Sequence, residues 1–263
     1  MKDREKILRY FTATGEEAKD MAIRLLDLAD AVDRGRPFAV GPFMSPFAAQ
    51  VGQTIAAHAG TITAKSFGGY HEAERIKVAF VDGGYEGPVD FGIKLLSVKW
   101  DGRYRLIGHR DVLGSLMGLG IDRAVLGDIL MQENGCQILC DADMAQWIID
   151  NFHKVAMVTV TVEEVPMEEL HPPEKTAKEV RATVASLRLD AVGAAGFGLS
   201  RTKMVQLVDD QRTEVNWQMA KSASQAVKPG DVISVRGHGR IEIKEITGKS
   251  RKGRIGVLIE RYR

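Results

Sequence analysis

The residues best suited to chemistry lie on one short predicted helix near the C-terminus. Ser200 stands where an N-cap is expected, and Met204 and Leu207 recur at the spacing of a buried helical face. Arg201 and Lys203 are left on the opposite face, open to solvent or to a ligand. Cationic side chains beside the free amides of a helix N-terminus are suited to binding phosphate. The pattern therefore predicts an anion-binding face on this helix.

Other polar and aromatic side chains in the same part of the chain extend this face. Asn216, in a strand predicted over 213–217, is suited to contact a backbone or a sugar hydroxyl, and Trp217 is suited to stack on a base. Both have a plainer interpretation, in which Asn216 stabilises a turn and Trp217 covers the protein's own core. The remaining candidate contacts share a cationic or amide side chain: Arg188, Gln206, Lys221, Arg236, Arg240 and, in the middle of the chain, Arg110.

The distribution of charge favours a polyanionic partner. The whole chain has a formal net charge of only +1. Residues 176–263 hold 17 Lys and Arg against nine Asp and Glu, whereas residues 1–175 hold 19 against 26. Clustered positive charge is the electrostatic signature of a phosphate-backbone partner, while the plainer alternative is a solvated basic surface. A basic C-terminal part is thus joined to an acidic body.

Two segments contain the residue types of an acid–base site. His109, Arg110 and Asp111 are consecutive on a predicted helix, so their side chains point in three directions; we expect Asp111 to support the helix N-terminus. Arg188-Leu189-Asp190 is similar to the catalytic triplet of pseudouridine synthases, but its flanking residues differ and only 73 residues follow it. We therefore expect Asp190 to orient Arg188 or to cap a helix, and we predict no enzymatic activity.

No metal or cofactor site is expected. Cys136 and Cys140 are four residues apart in a predicted strand, which suits neither a disulfide nor a complete zinc site, so we interpret both as buried thiols. The glycine clusters lie within or after predicted helices rather than between a strand and a helix, which excludes a dinucleotide-binding loop. We attribute Gly193 and Gly196 to close helix packing.

Composition predicts a folded cytoplasmic protein. An apolar content of 44% is enough for well-formed cores, and 263 residues suggest about two or three compact units. There is no run of about 18 apolar residues that would predict a membrane span. The charged residues 1–6 lack the apolar core of a signal peptide.

The elements that must position these residues are clearest in the middle of the chain. Strands are predicted at 75–81 and 91–100, a helix at 109–118, a hairpin over 127–140, a helix after Asp141 or Asp143, and a long strand at 154–165. Strand, helix, two strands, helix, strand is the order of a ferredoxin-like plait. Residues 137–139 lack the aromatic rings with which RNA-recognition motifs stack bases.

The C-terminal pattern resembles the small RNA-binding domain named after ribosomal protein S4. The similarity is carried by Arg188-Leu189-Asp190, Ser200-Arg201, Val215-Asn216 and the sequence PGDVI at 229–233. From about Gly68 onward the chain also resembles the YlmH family, which includes the RqcP-related proteins and the photosystem II S4-domain proteins. The motifs are GGYHEAER at 68–75, HRDVLGSLMGLG at 109–120, GDIL at 127–130 and SLRLDAV at 186–192.

The resemblance implies three domains and association with the large ribosomal subunit and tRNA in the rescue of stalled translation. We predict an α+β protein with a helical and mixed N-terminal domain (1–72) and a ferredoxin-like, RRM-like α/β plait domain for RNA binding (73–166). An acidic linker (167–179) leads to an S4-type α+β domain with a basic hairpin (180–263). The plait would add basic contacts: Lys94, Lys99, Arg103, Arg105 and Arg110.

We therefore expect a monomer that binds rRNA or tRNA at the large ribosomal subunit. It would use no cofactor or metal, no membrane and no small-molecule substrate. Two alternatives stay open: an RNA-modifying enzyme of the pseudouridine-synthase type, and an interaction factor in cell division or photosystem assembly.

Overall fold

The protein forms two compact units, Met1–Pro173 and Glu174–Arg263. A computed structural model describes residues 4–12, 16–101, 107–172, 177–250 and 253–262. The division between the units falls inside the linker predicted over 167–179, part of which lies outside the described residues. The finer domain boundary predicted at residue 72 stays a prediction. Within the described ranges, no helix is long and apolar enough to cross a membrane.

The N-terminal part of the first unit packs helices against a small antiparallel sheet of order β1-β3-β2. α2 ends at Asp33, just before Gly35, because glycine and the nearby Pro37 disfavour continuation of a helix. Both α2 and α3 pack on β3 and close the core over this sheet. The elements are α1 (Arg4–Thr12), α2 (Glu16–Asp33), β1 (Phe38–Val40), α3 (Phe47–Ala59), β2 (Ile62–Phe67) and β3 (Lys77–Asp82).

The strand predicted at 75–81 is present, and it lies in this small sheet rather than in the plait sheet. It forms β3, in which Phe80 pairs with Ala39 of β1 and with Ala64 of β2. Residues 77–81 are all buried, because β3 is the central strand and helices cover it. A short continuous apolar run indicates a buried strand but does not identify the sheet that the strand joins.

The second part of this unit is the predicted ferredoxin-like plait. Its sheet has the order β5-β6-β4-β8-β7, and every neighbouring pair is antiparallel. β4, α4, β5, β6, α5 and β8 follow one another in the order expected of this fold. The elements are β4 (Ile93–Trp100), α4 (His109–Gly118), β5 (Leu126–Gln132), β6 (Gly135–Asp141), α5 (Ala142–Asn151), β7 (Lys154–Val155) and β8 (Val158–Val165).

The long strand predicted at 154–165 is in fact a hairpin. The chain turns at Ala156, whose φ is 52°, and Val155 of β7 pairs with Val158 of β8. Met157, at the tip, is 88% exposed. Alternation of apolar residues continues across such a two-residue turn, so the sequence pattern does not show the reversal.

Helices cover one face of the plait sheet, and a later segment of the chain covers part of the other. On one face Val98, Ile138 and their neighbours pack against α4 and α5. On the other face Gln137 is buried, with its side-chain amide donating to the Glu169 carbonyl at 2.6 Å and its Oε1 accepting from the His171 N–H at 2.8 Å. The segment after β8 therefore lies across part of the face that RNA-recognition motifs use for bases.

The second unit packs two helices on a six-stranded antiparallel sheet of order β11-β10-β12-β13-β14-β9. Leu189, Val192 and Met204 from the helices meet Ile241 and Ile259 from the sheet in one core. The elements are β9 (Lys178–Val184), α6 (Leu189–Phe197), α7 (Arg201–Asp209), β10 (Thr213–Val215), β11 (Gln218–Met219), β12 (Val232–Val235), β13 (Gly239–Lys249) and β14 (Ile255–Tyr262).

Candidate nucleic-acid interface

A buried carboxylate organises the basic face of the second unit. Asp190 lies in the first turn of α6, and its side chain is 5% exposed. One oxygen accepts a hydrogen bond from Arg188 Nε at 3.3 Å, and the other accepts from Arg201 Nη2 at 2.6 Å. Burial opposes ionisation, but the hydrogen bonds from Arg201 and Arg188 outweigh it, so the pKa of Asp190 lies below its ordinary value.

This arrangement holds two guanidinium groups at the surface. The side chain of Arg188 is 46% exposed and that of Arg201 is 55% exposed, although both are bound to the same carboxylate. Each guanidinium has further N–H donors that can point outward, because a guanidinium carries five. The result is a fixed pair of cationic groups at the beginnings of α6 and α7.

The N-terminus of α7 is built as predicted. Ser200 is the N-cap, and its hydroxyl accepts from the Lys203 N–H at 3.1 Å. Lys203 and Gln206 are exposed one turn apart, and the Lys203 ammonium donates to Gln206 Oε1 at 3.1 Å. Met204 is fully buried on the opposite side. The exposed polar face predicted for this helix is therefore present.

Asn216 and Trp217 occupy a turn rather than the strand predicted over 213–217. β10 ends at Val215, which pairs with Gln218 of β11, and both turn residues have left-handed backbones, with φ of 51° and 60°. Such a two-residue turn matches the twist of a hairpin. Alternation of side chains along the sequence does not reveal it.

The side chains of this turn already have partners within the protein. The amide of Asn216 donates to Asp231 Oδ1 at 2.9 Å, and its Oδ1 accepts from the Val232 N–H at 2.9 Å. The guanidinium carbon of Arg240 lies 6.0 Å from the centre of the Trp217 ring. Asn216 thus ties the turn to the strand beside it, and Trp217 is half-buried beneath a cation.

The other predicted contacts are dispersed. Lys221 and Arg236 are exposed in the second unit, whereas Arg110 is exposed on α4 in the first. One further basic residue, which was not among the predicted contacts, lies beside Arg236. Arg212 is exposed, and its guanidinium donates to the Arg236 carbonyl at 3.0 Å. The basic side chain of Arg212 could have indicated a contact with an anion, but the residue follows the predicted helix and belongs to none of the recognised motifs.

The basic residues proposed for β4 are paired with carboxylates. Lys94 bonds Glu164 and Lys99 bonds Glu163, each at 2.6 Å across the neighbouring strand β8. These hydrogen bonds raise the pKa of both lysines. Positive charge on this strand is therefore locally compensated. Two further predicted contacts, Arg103 and Arg105, lie outside the described residues.

The segments with catalytic residue types have structural partners. Asp111 accepts from the Gly108 N–H at 3.0 Å at the start of α4, as expected of a residue that supports a helix N-terminus. Burial and the nearby Arg123 lower the pKa of His109. Burial raises the pKa of the Cys136 and Cys140 thiols to about 12. The described part of the chain contains no cluster of metal-ligating side chains.

Comparison with known proteins shows to which family this architecture belongs. Residues 87–169 match the family model described as "Putative RNA-binding domain in YlmH", and residues 187–233 match the S4 domain. The ribosome-associated protein quality control protein P2 of Bacillus subtilis is 34% identical over 198 residues, which are 74% of this chain and 77% of that protein. The chain belongs to the YlmH family.

A solved structure of the YlmH family has the same fold. The cell division protein YlmH from Streptococcus pneumoniae superposes with a TM-score of 0.51 at 24% identity, covering 60% of this chain and 96% of that one. The YlmH-type RNA-binding model covers the plait from before β4 to after β8, and the S4 model covers α6 to the start of β12. The family and the two RNA-binding domains recognised from sequence are thus confirmed.

Proposed function

We propose that this protein binds structured RNA, namely rRNA and tRNA, on the large ribosomal subunit and acts in translation or in the rescue of stalled ribosomes. The observation that carries the proposal is the pair Arg188 and Arg201 fixed on buried Asp190, beside the exposed Lys203. Fixed guanidinium groups favour bidentate contacts with phosphate and lose little freedom on binding. The name of the Bacillus relative, a ribosome-associated quality control protein, supports the ribosomal setting.

Recognition would depend on shape and phosphate rather than on base sequence. The cationic groups lie at helix N-termini, where the backbone dipole also favours anions. The segment around Glu169 and His171 covers part of the plait's sheet face at Gln137 and so reduces the surface on which bases could stack. Contact of the plait with RNA would then also use its helices, loops or edges, and Arg110 lies on one of these helices.

The geometry favours binding over catalysis by a pseudouridine-synthase mechanism. Such a mechanism needs an aspartate that can reach a nucleotide, whereas both oxygens of Asp190 are bonded to arginines and its side chain is buried. In our proposal Asp190 positions the RNA-binding arginines. We further propose a cytoplasmic monomer whose partners are RNA and ribosome.

Crosslinking in cells followed by sequencing tests the proposal, because it identifies the RNA directly. The tagged full-length protein is crosslinked by ultraviolet light, and a Lys203→Glu variant is processed in parallel as the binding-impaired control. We expect crosslinks concentrated on large-subunit rRNA and on tRNA, and fewer in the variant. The proposal would be contradicted if crosslinks were spread over transcripts in proportion to transcript abundance and were equally frequent for the wild type and the variant.

A further inference from the structure

A cleft in the first unit carries positive charge that RNA binding by the second unit does not explain. It lies between α2, the loop leading into α3 and the turn before β5, and its volume is about 510 Å3. Small-molecule sites in proteins occupy roughly 300–1,000 Å3. Three arginines line it, Arg24, Arg75 and Arg123, against two aspartates. The cleft is therefore of ligand size and has an excess of cationic side chains.

Two of these arginines are held side by side by carbonyl groups. Arg75 Nε and Arg123 Nη1 both donate to the carbonyl oxygen of Leu126, at 3.2 and 3.1 Å. Arg75 Nη2 also donates to the carbonyl of Phe43 at 2.7 Å. These carbonyl oxygens accept hydrogen bonds from the guanidinium N–H groups, but they do not neutralise the positive charge of the two arginines. Among the described residues, no ion pair joins either guanidinium to a carboxylate.

The electrostatics of the pair favour an anion. Burial and the neighbouring Arg123 lower the pKa of Arg75 to about 10, and burial lowers the pKa of Arg123. Two like charges therefore lie together in a poorly solvated part of the cleft, and the nearby carboxylates of Asp122 and Asp128 offset only part of this unfavourable effect. A bound anion would stabilise both, since opposite charge within a few ångströms favours the charged form.

A hydroxyl and an apolar wall complete the cleft. Ser45 is one of the lining residues, and its Oγ is buried and has no hydrogen-bond partner among the described residues. Buried polar groups are almost always bonded, so this hydroxyl is suited to a ligand oxygen. Met21 and Met44, both buried, line the same cleft. A ligand with a phosphate and a flat apolar part would fit these features.

We propose that this cleft binds the phosphate group of a nucleotide, either free or within an RNA chain, with the three arginines and the Ser45 hydroxyl as donors. The base would lie against Met21 and Met44. The site belongs to the first unit and does not depend on RNA binding by the second. Arg24 is exposed and has no described bond to another residue, so it can be replaced without disturbing the fold. Arg75, in contrast, bonds both the Phe43 carbonyl and the Leu126 carbonyl of the plait, so its replacement would also disturb the fold.

Methyl NMR of the full-length protein labelled at its methionines tests the site. Met21 and Met44 report on the cleft, while Met204 and Met219 report on the second unit. Inorganic phosphate, AMP and a short oligoadenylate are titrated separately at constant ionic strength. We expect saturable shifts of the Met21 and Met44 signals. Tighter binding of AMP would identify a free nucleotide as the source of the phosphate, and tighter binding of the oligonucleotide would identify RNA.

Matched variants decide whether the arginines bind the phosphate. Arg24→Gln should weaken binding about tenfold or more, because a charge-assisted hydrogen bond is lost. Ser45→Ala should weaken it about two- to tenfold. Arg34→Gln, an exposed arginine after α2 outside the cleft, should leave affinity unchanged. No shift of Met21 and Met44 with any of the three probes, or equal binding by the Arg24 and Arg34 variants, would overturn the proposal.

Discussion

Asp190 determines where both arginines of the basic face lie. The sequence indicates the two cations and the helix cap at Ser200, because each follows from residue type and local spacing. It does not indicate that Arg201 bonds Asp190, since the two are eleven residues apart on different helices. Because of this bond, replacing Arg201 by Glu would place a second carboxylate beside Asp190, so that variant would affect folding and binding together.

Replacement of Asp190 by Asn should loosen this face in a pH-dependent way. The pKa of Asp190 in the folded protein is below its ordinary value of 3.8. Its stabilisation is therefore fully present above that value and is lost as the pH falls through the folded pKa. At neutral pH we expect Asp190→Asn to lower the local free energy of opening of α6 by about 1.5–3 kcal/mol, the range for hydrogen bonds to charged groups.

Hydrogen exchange of the α6 amides measures this difference in the full-length protein. The difference in opening free energy between the wild type and the Asn variant should begin to narrow as the pH falls below about 4, where the carboxyl of the opened state becomes protonated, and should close as the pH falls through the lower pKa of the folded state. The variant should also bind RNA more weakly at neutral pH, because both guanidinium groups lose their fixed position. A gap that stays constant across the acid range would show that ionised Asp190 does not hold the two arginines.

Helices and strands with a clear local pattern of apolar and turn residues could be predicted from the sequence. Elements whose position depends on contacts with distant parts of the chain could not. α4 and the hairpin of β5 and β6 follow from apolar spacing and turn residues. β9 could not be predicted as a strand, and the predicted boundary between the linker and the S4-type domain falls within it, because its outward residues are charged and only Val180, Ala182 and Val184 face the core. The burial of Gln137 on the plait sheet could not be predicted, because it depends on a segment about 30 residues later in the chain.

The helix pair that carries the basic face depends on close packing at Gly196. A Cβ at this position would lie 2.5 Å from Ile241 Cδ1 and 3.3 Å from Ile259 Cγ2. We expect Gly196→Ala to destabilise the second unit by about 1–3 kcal/mol, the usual cost of overpacking a core. Thermal unfolding of the full-length protein measures the effect.

The matched control is the same substitution at Gly114 of α4, where a Cβ would meet no atom within 4 Å. Gly114→Ala should stabilise its helix by about 0.5–1 kcal/mol, because alanine restricts the unfolded chain. If Gly196→Ala were as harmless as Gly114→Ala, the glycines of α6 would not be explained by packing.

At the scale of the whole molecule, the S4-type unit should fold without the rest of the chain. Residues 174–263 form a separate compact unit whose core is contributed by its own helices and sheet. We expect this fragment to unfold cooperatively and to bind RNA, but less selectively than the full chain, because the full chain adds a tethered second contact. Circular dichroism and ribosome binding of the fragment and of the full-length protein measure this. Equal affinity and selectivity would instead make the first unit a structural or protein-docking module.

The central claim is that the exposed face of α7 anchors this YlmH-family protein to RNA. It is tested most directly by co-sedimentation with purified ribosomes, using a Lys203→Glu, Gln206→Glu variant. Both side chains are exposed and neither contacts Asp190. The control variant Lys178→Glu, Arg181→Gln makes the same change in charge on the edge strand β9.

We expect the α7 variant to stay folded and to bind about tenfold or more weakly, with a salt dependence flatter by about one unit of log–log slope for the lost phosphate contact. The β9 control should bind within about threefold of the wild type, as expected when only the overall charge has changed. The claim would be contradicted if the folded α7 variant sedimented with ribosomes as completely as the wild type. It would also be contradicted if the α7 variant and the β9 control sedimented to the same extent.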